Sequence, residues 1–332
     1  MSYTRPLTPR FYCDWVNWLL AEGKMKTSDI TDNFPTAGGI DWETGSTLIE
    51  CFDMTPSNLQ TIDCDTESDD IIIEVDTNIG SSASQESSFL AIMGHNLNQA
   101  GAKITVKLDN EAESDETEAV IAQVLNLGSK SGNTWTPANN GYTIATWDSG
   151  SAADEKVRLV ISTGTTYTVD IKIGCILIGK YIDMPNAPDV NIKRSLNEGE
   201  GGVINTTDGG MDFSNLRYAS APNWFLSPYE VGTAVTPDKV RRSGRLMWDL
   251  NFSFVADTNF TPETWSSGNI MTGDTIHNIL QYTVGSHLPF LYSWDNTAKG
   301  AYDFCMARVH RKPEIMKTNN VWSIGMQIVE RY

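Results

Sequence analysis

Short runs in which apolar and polar residues alternate dominate the chain from about residue 48 onward. In AKITVKL (102–108), every second residue is apolar. A period of two places one side of a strand in a core and the other in solvent, as in an antiparallel sheet. The segments DIIIEVD, FLAIMG, KVRLVIS and TYTVDIKIGCILIG, and later GRLMWDLNFSFVAD, LPFLYSWD, AYDFCMARVHR and VWSIGMQIVER, also resemble strands. The pattern predicts an antiparallel β-sandwich followed by further strands.

Two segments show helical spacing instead. In FYCDWVNWLLAEG, Phe11 and Trp15 are four residues apart and a glycine stands where a helix would end. In GDTIHNILQYTVG, the apolar residues share one helical face and Asp274 could cap the start. Both predict short helices. The spacing in EAVIAQVLNLG (118–128) fits either a helix or a strand.

Composition shifts divide the chain into three predicted regions within a mainly β fold. They are an N-terminal arm with a short helix (1–44), a β-sandwich (45–184) and a second β-rich assembly domain with one short helix (185–332). The second boundary is placed at PNAPD, where two prolines follow a long apolar run.

The charge is uneven along the chain. The formal net charge is -18, and the segment from Glu50 to Glu118 contains many acids but only two lysines. Such a stretch is costly to bury, so we expect its acids to face solvent. A strongly acidic surface repels phosphate, which excludes nucleic acid as a main partner. No apolar run approaches the roughly 20 residues that cross a bilayer, so no membrane insertion is expected.

His95 is the first candidate for chemistry. It stands with two asparagines in HNLNQA, a loop between Gly94 and Gly101. A general base needs an orienting group and a nucleophile or substrate within hydrogen-bond reach. The chain contains no GxSxG and no HExxH motif. We therefore interpret His95 as a turn residue and predict no catalytic residue, no cofactor and no enzyme activity.

Two acidic segments and five cysteines are candidates for metal binding. LDNEAESDETEA (108–119) and TIDCDTESDD (61–70) lack the EF-hand spacing, and no Cys/His spacing suits zinc. We predict solvated acidic loops, free thiols and no metal site. A cation site, paired glycosidase carboxylates and a Cys51–Cys64 link remain open alternatives.

Aromatic residues could contact a glycan. Trp135 and Trp147 flank the loops that follow the acidic region, and exposed indole faces stack on sugars. They are the predicted glycan contacts, although tryptophans are also common at subunit interfaces.

The N-terminal segment SYTRPLTPR contains two prolines, which disfavour a helix. Without alternating apolar residues it does not resemble a strand. We predict that residues 1–10 form an arm that packs on a neighbouring chain. The predicted interface residues are Tyr3, Arg5, Leu7, Arg10 and Phe11.

A larger pattern resembles structural proteins of tailed bacteriophages. FLAIMGHNLNQAGAKITV, IGCILIGKYIDMPNAPDV, RRSGRLMWDLNFSF, TIHNILQYTVGSHLPFLYSWDN and VWSIGMQIVERY carry it, in that order, over most of residues 45–332. The resemblance implies a sandwich of the galactose-binding-like jelly-roll type and a tail-associated virion protein. It transfers no catalytic residue.

The function predicted from these observations is a non-enzymatic virion structural protein, made in the host cytoplasm and assembled with itself and other virion proteins. Neck and capsid positions are alternatives to the tail. A carbohydrate-binding module that recognises a cell-surface glycan is the alternative function, and a glycan hydrolase is the third.

Overall fold

A computed structural model describes residues 8–35, 39–77, 87–109, 117–148, 156–189, 192–197, 204–214, 229, 245–260, 275–297, 304–310 and 313–331. The described chain is mainly β, and every strand pair in it is antiparallel. The mainly β class predicted from alternation is confirmed.

The strands form two large and two small sheets. The first large sheet has the order β16 (Lys193–Asn197), β19 (Arg245–Ala256), β23 (Val321–Glu330), β21 (Phe304–Val309), β20 (Phe290–Ser293), β1 (Arg10–Asp14), β15 (Cys175–Asp183), β6 (Phe89–His95), β12 (Gly141–Trp147) and β9 (Ile121–Leu125), and β22 (Glu314–Thr318) also pairs with β23. The second has the order β10 (Leu127–Ser131), β11 (Thr134–Pro137), β7 (Ala102–Asp109), β13 (Lys156–Thr163), β5 (Ile71–Asp76) and β2 (Ile30–Asn33), and β8 (Thr117–Glu118) also pairs with β7. The small sheets are β14 (Ile171–Ile173), β4 (Gln60–Asp63) and β3 (Asp41–Trp42), and β17 (Ile204–Thr206) with β18 (Asp212–Ser214).

The three described α-helices are short. They are α1 (Trp15–Ala21), α2 (Asp257–Phe260) and α3 (Ile276–Tyr282), and 3₁₀ turns cover Thr27–Asp29 and Leu48–Phe52. None of them has the length and apolar character of a membrane-spanning helix.

The sandwich core lies between the two large sheets. Alternate residues of β5, Ile71, Ile73 and Val75, are fully buried, as period-two alternation predicts. They belong to one apolar cluster with Ile92 of β6 and Ile178 of β15, on the facing sheet. The loop after His95 therefore passes from one sheet to the other, because β6 and β7 belong to different sheets.

The N-terminal helix begins later than its apolar spacing predicted. Phe11 lies in β1, and α1 starts at Trp15. Asp14 divides the two elements: its carboxylate accepts from the backbone N–H of Asn17 at 2.8 Å and caps the helix. It also accepts from Ile178 N–H on the paired strand at 3.1 Å. Burial raises the pKa of Asp14 to about 6, against the lowering effect of these hydrogen bonds.

Strand β1 pairs with β15 on one side and β20 on the other. The large sheet therefore continues past the predicted boundary at residue 185. Division of the chain into regions 1–44, 45–184 and 185–332 stays a prediction.

The predicted N-terminal interface is corrected for two of its residues. Arg10 Nε donates to Asp183 Oδ1 at 2.6 Å, and its guanidinium lies 4.0 Å from the ring centre of Tyr181. Phe11 is fully buried, 5.4 Å from the ring of Tyr292. Both residues contact their own chain because they belong to a central strand, so they are not available to a neighbouring subunit. Tyr3, Arg5 and Leu7 lie outside the described residues.

Other predicted elements are located by the structure. EAVIAQVLNLG forms strand β9 and the start of β10 rather than a helix. Helix α3 follows Thr275, which exchanges hydrogen bonds with Asn278 in a capping box; the predicted cap, Asp274, lies outside the described residues. All five cysteines are buried and free, so the Cys51–Cys64 link is absent.

Candidate functional site

The loop from Asp63 to Asp70, here the acidic loop, joins β4 to β5 at one end of the sandwich. Asp170 fixes its start, because Asp170 Oδ1 accepts from Cys64 N–H and Asp65 N–H at 3.2 Å each. Tyr167 fixes its end, because its hydroxyl donates to the backbone oxygen of Asp69 at 3.1 Å. These contacts from a distant segment give a polar loop a defined shape.

A groove of about 460 Å³ lies beside this loop, and we call it the acidic groove. Its lining is mixed and comprises Asn33, Pro35, Ser68, Asp69, Asp70 and Ile72. Pairing of β2 with β5 brings Asn33 opposite Ile72. Asp69 and Asp70 are exposed, so both carboxylates are available to a ligand. The groove offers two acceptors, an amide and a hydroxyl next to apolar carbon.

Three carboxylates lie close together at the start of the loop. Ligand oxygens of Asp63, Asp65 and Asp170 all lie within 4.8 Å of one another. Carboxylate oxygens suit a hard cation such as Ca²⁺, so these residues could hold one. Asp63 and Asp65 are exposed, and exposed acids also occur together without an ion. The arrangement corresponds to the cation alternative that the sequence left open.

His95 is buried at the end of β6. Its Nδ1 accepts from Leu97 N–H at 3.2 Å within the turn. Burial lowers the pKa of His95 to about 3, so the imidazole is neutral at physiological pH. Together with its 2% exposure, this separates His95 from any substrate in solvent. The neighbouring Asn96 side chain accepts from Lys172 N–H at 2.7 Å and completes the turn.

The two predicted glycan contacts are buried. Trp135 and Trp147 are each 1% exposed, because both occupy inward positions of strands. Trp135 also donates from Nε1 to Thr143 Oγ1 at 3.0 Å. Neither indole presents a face to solvent, so the prediction that a sugar stacks on these rings does not fit the structure. The sequence signal, aromatic residues near loops, does not distinguish an exposed ring from a buried one.

Two further grooves lie on sheet faces. The smaller, about 370 Å³, is bounded by the edge of Trp135 and by hydroxyl side chains; its lining is Lys103, Ser129, Ser131, Thr134, Trp135 and Thr136. The larger, about 570 Å³ and here the C-terminal groove, crosses β19, β23 and β22; its lining is Asp189, Asn251, Phe252, Ser253, Glu314, Ile315, Met316, Ser323, Ile324 and Gly325.

Most of the acids between residues 50 and 118 that the structure describes face solvent, as predicted. Those exposed in the described chain are Glu50, Asp53, Asp63, Asp65, Asp69, Asp70 and Glu118. Asp109 is an exception at 2% exposure. Glu74 is partly buried on β5 and forms an ion pair with Arg158 on β13. Lys156 lies 3.7 Å from Glu74 and 3.9 Å from Asp76.

Comparison with known proteins yields two similar structures. No family model matches the sequence, and no curated protein matches it. The structure is similar to CBM32-1 from a family 31 glycoside hydrolase from Clostridium perfringens, with a TM-score of 0.32 and 9% identity over 46% of this chain and 94% of that chain. It is also similar to a GH31 CBM32-2 bound to GalNAc, with a TM-score of 0.28 and 14% identity over 46% of this chain and 97% of that chain. Scores this low establish no family membership and no function. The predicted resemblance to phage proteins has no counterpart among these comparisons.

Proposed function

We propose that the chain is a non-enzymatic carbohydrate-binding protein that holds a sugar in the acidic groove. The observation that carries the proposal is the lining of that groove, where Asp69, Asp70 and Asn33 lie beside Pro35 and Ile72. Sugars present hydroxyl groups along their edges and C–H groups on their faces. Carboxylates accept strong hydrogen bonds from hydroxyls, and the apolar carbons contact the ring face. A volume of about 460 Å³ lies within the range of small-molecule sites.

The position of His95 supports a binding role over a hydrolytic one. It is buried and neutral, and so it cannot transfer protons to a bound sugar. The acidic groove has two adjacent carboxylates, Asp69 and Asp70, both exposed. A hydrolytic acid usually lies in an apolar pocket, whereas these two carboxylates lie on an exposed loop.

Glycan binding is tested with the full chain on a glycan array, followed by calorimetry with the sugar that binds best. Asp69→Asn combined with Asp70→Asn should weaken binding by at least about tenfold, because both charge-assisted acceptors are lost. Asp208→Asn is the matched control, since it neutralises an exposed acid outside the groove. No array signal above background, or equal affinity of the double variant, would overturn the proposal.

A second candidate function is protein assembly in a virus particle, the function implied by the sequence resemblance. The observation favouring assembly is the exposure of large apolar side chains near the C-terminal groove: Phe254 at 75% and Met316 at 64%. Exposed apolar patches commonly mark interaction sites. On this proposal the chain contacts itself and other virion proteins. Mass spectrometry of purified particles should find it at fixed stoichiometry, and its absence from them contradicts the proposal.

A further inference from the structure

Strand β22 presents an exposed edge beside the C-terminal groove. In the described part of the chain it pairs only with β23, and all five of its residues, Glu314–Thr318, are exposed. A strand edge carries N–H and C=O groups that can pair with another extended segment. Natural proteins commonly protect such edges with charge, proline or a bulge. Here Pro313 precedes the strand and Glu314 and Lys317 carry charge, while the two residues between them, Ile315 and Met316, are apolar.

Apolar side chains are exposed in line across the three strands that form the groove. Met316 of β22 lies opposite Ser323 of β23. On β19, Phe254 falls in a bulge between the register positions Phe252↔Ile324 and Val255↔Trp322. Phe254 is therefore level with Ser323 on the other side of β23. Because the side chain of Ser323 is small, the surface between Met316 and Phe254 is lower than either of these side chains.

The charge among the described residues of the groove is one-sided. Of the described residues that line it, Asp189 and Glu314 are charged and both are acids; Asp189 accepts from the backbone N–H and the hydroxyl of Ser253. The nearest base on the strand, Lys317, is already engaged: its Nζ lies 2.8 Å from Asp257 Oδ1 and 4.9 Å from the ring centre of Trp322. Because side chains alternate along a strand, Lys317 points to the sheet face opposite Met316. A ligand in the groove thus meets negative charge and apolar surface.

We infer that β22 and the C-terminal groove bind an extended, basic segment of a partner protein by strand addition. The partner strand continues the sheet beyond β22. Its apolar side chains contact Met316, and its lysine or arginine side chains face Glu314 of β22. A second copy of this chain fits less well, because each copy carries a formal net charge of -18. The inference rests on the second proposed function, protein assembly, and shares no residue with the acidic groove.

The test measures peptide binding by fluorescence anisotropy with the full chain. The probe is a fluorescein-labelled peptide of about eight residues, the span of a long strand, alternating lysine and valine. A peptide alternating glutamate and valine is the charge control. Glu314→Lys and Met316→Lys should each weaken binding of the basic peptide by about tenfold, through charge repulsion and lost apolar contact. Met211→Lys is the matched control, because Met211 is also 64% exposed and lies outside the groove.

Hydrogen exchange locates the bound peptide. The backbone N–H groups of Glu314–Thr318 should exchange more slowly when the basic peptide is present. Equal binding of the acidic peptide, unchanged affinity of Met316→Lys, or unchanged exchange in β22 would each overturn the inference. Self-association through β22, detected by sedimentation and abolished by Glu314→Lys, would overturn it in favour of a second copy. If Met316→Lys lowers the melting temperature, Glu314→Gln, which keeps the shape of the side chain, replaces it as the variant for the binding test. Failure of peptide binding leaves the glycan test and the particle stoichiometry unaffected.

Discussion

The outward faces of two strand pairs, β5–β13 and β22–β23, differ in how their side chains are matched. On β5–β13, Glu74 pairs with Arg158, and Lys156 lies within 4.0 Å of both Glu74 and Asp76. On β22–β23, exposed Met316 lies opposite Ser323, and the part of the groove that the structure describes includes two acids and no base. On the first face the charged side chains pair with one another, and the face is in contact with solvent. The second leaves charge and apolar surface for another molecule.

This contrast shows that one fold can carry two kinds of surface. Both pairs are antiparallel. Strands β5, β13 and β23 bury their inward apolar residues, whereas every residue of β22 is exposed. Cross-strand ion pairs on a partly buried face stabilise the chain itself, whereas exposed apolar groups contribute little to its stability. Mutations on the β5–β13 face should therefore change stability, and mutations on the β22–β23 face should change binding.

The largest expected effect concerns Asp14, on the strand that joins the regions containing these two faces. Its pKa of about 6 lies above the ordinary value of 3.8, so the native state binds the proton more tightly. The resulting stabilisation is complete below the unfolded pKa and is lost as pH rises through about 6. Relative to Asp14→Asn, wild type should lose about 2.5 kcal/mol of unfolding free energy between about pH 4 and about pH 7.5.

Urea unfolding at each pH measures this difference. Unfolding is monitored with two probes, tryptophan fluorescence and hydrogen exchange in β5 and β22. Both probes should report the same change, because β1 pairs with strands of each region. A difference independent of pH, or separate transitions in the two regions, would contradict the prediction.

A medium effect is expected from the ion pairs of the two strand pairs. Arg158→Glu places a second carboxylate against Glu74, whose side chain is only 20% exposed, and should lower the unfolding free energy by about 2 kcal/mol. Lys317→Glu, in a pair whose side chains are 43% and 55% exposed, should change it far less because solvent screens the charges. Urea midpoints of the two variants give the comparison, and equal losses would contradict it.

The smallest effect is expected at the exposed apolar residues. Phe254→Ser and Met316→Lys should change the unfolding free energy by no more than about 0.5 kcal/mol, as most surface substitutions do. Thermal melting against wild type is the measurement. A clear fall in melting temperature would show that these side chains stabilise the fold. The contrast between the two faces would then be wrong.

Much of the fold could be predicted from local patterns. Strands β5 and β7 follow from alternation, and β6 from the apolar run FLAIM. The assignment failed at Phe11, because its four-residue spacing to Trp15 matches a helical turn although Asp14 divides a strand from a helix. Spacing alone does not show where one element ends and another begins.

The candidate sites could not be predicted, because each combines segments that are distant in sequence. The acidic groove requires β2 to pair with β5, and β2, with the sequence ITDN, is too short and polar to reveal its pairing. Asp170 fixes the acidic loop from far along the chain, without any motif that marks it. The burial of Trp135 and Trp147 depends on which strand face turns inward, which aromatic content does not determine.

The central position of β1 has a consequence for synthesis. The strand leaves the ribosome before both of its neighbours: β15 ends at Asp183 and β20 begins at Phe290. Pairing between such distant segments slows folding, because a long chain must close before the contact forms. The apolar side chains of RFYCD, buried in the finished sheet, therefore stay without their second neighbour until Phe290 and the residues after it have been translated. During that interval these side chains are an exposed apolar segment of the kind that promotes aggregation of a nascent chain.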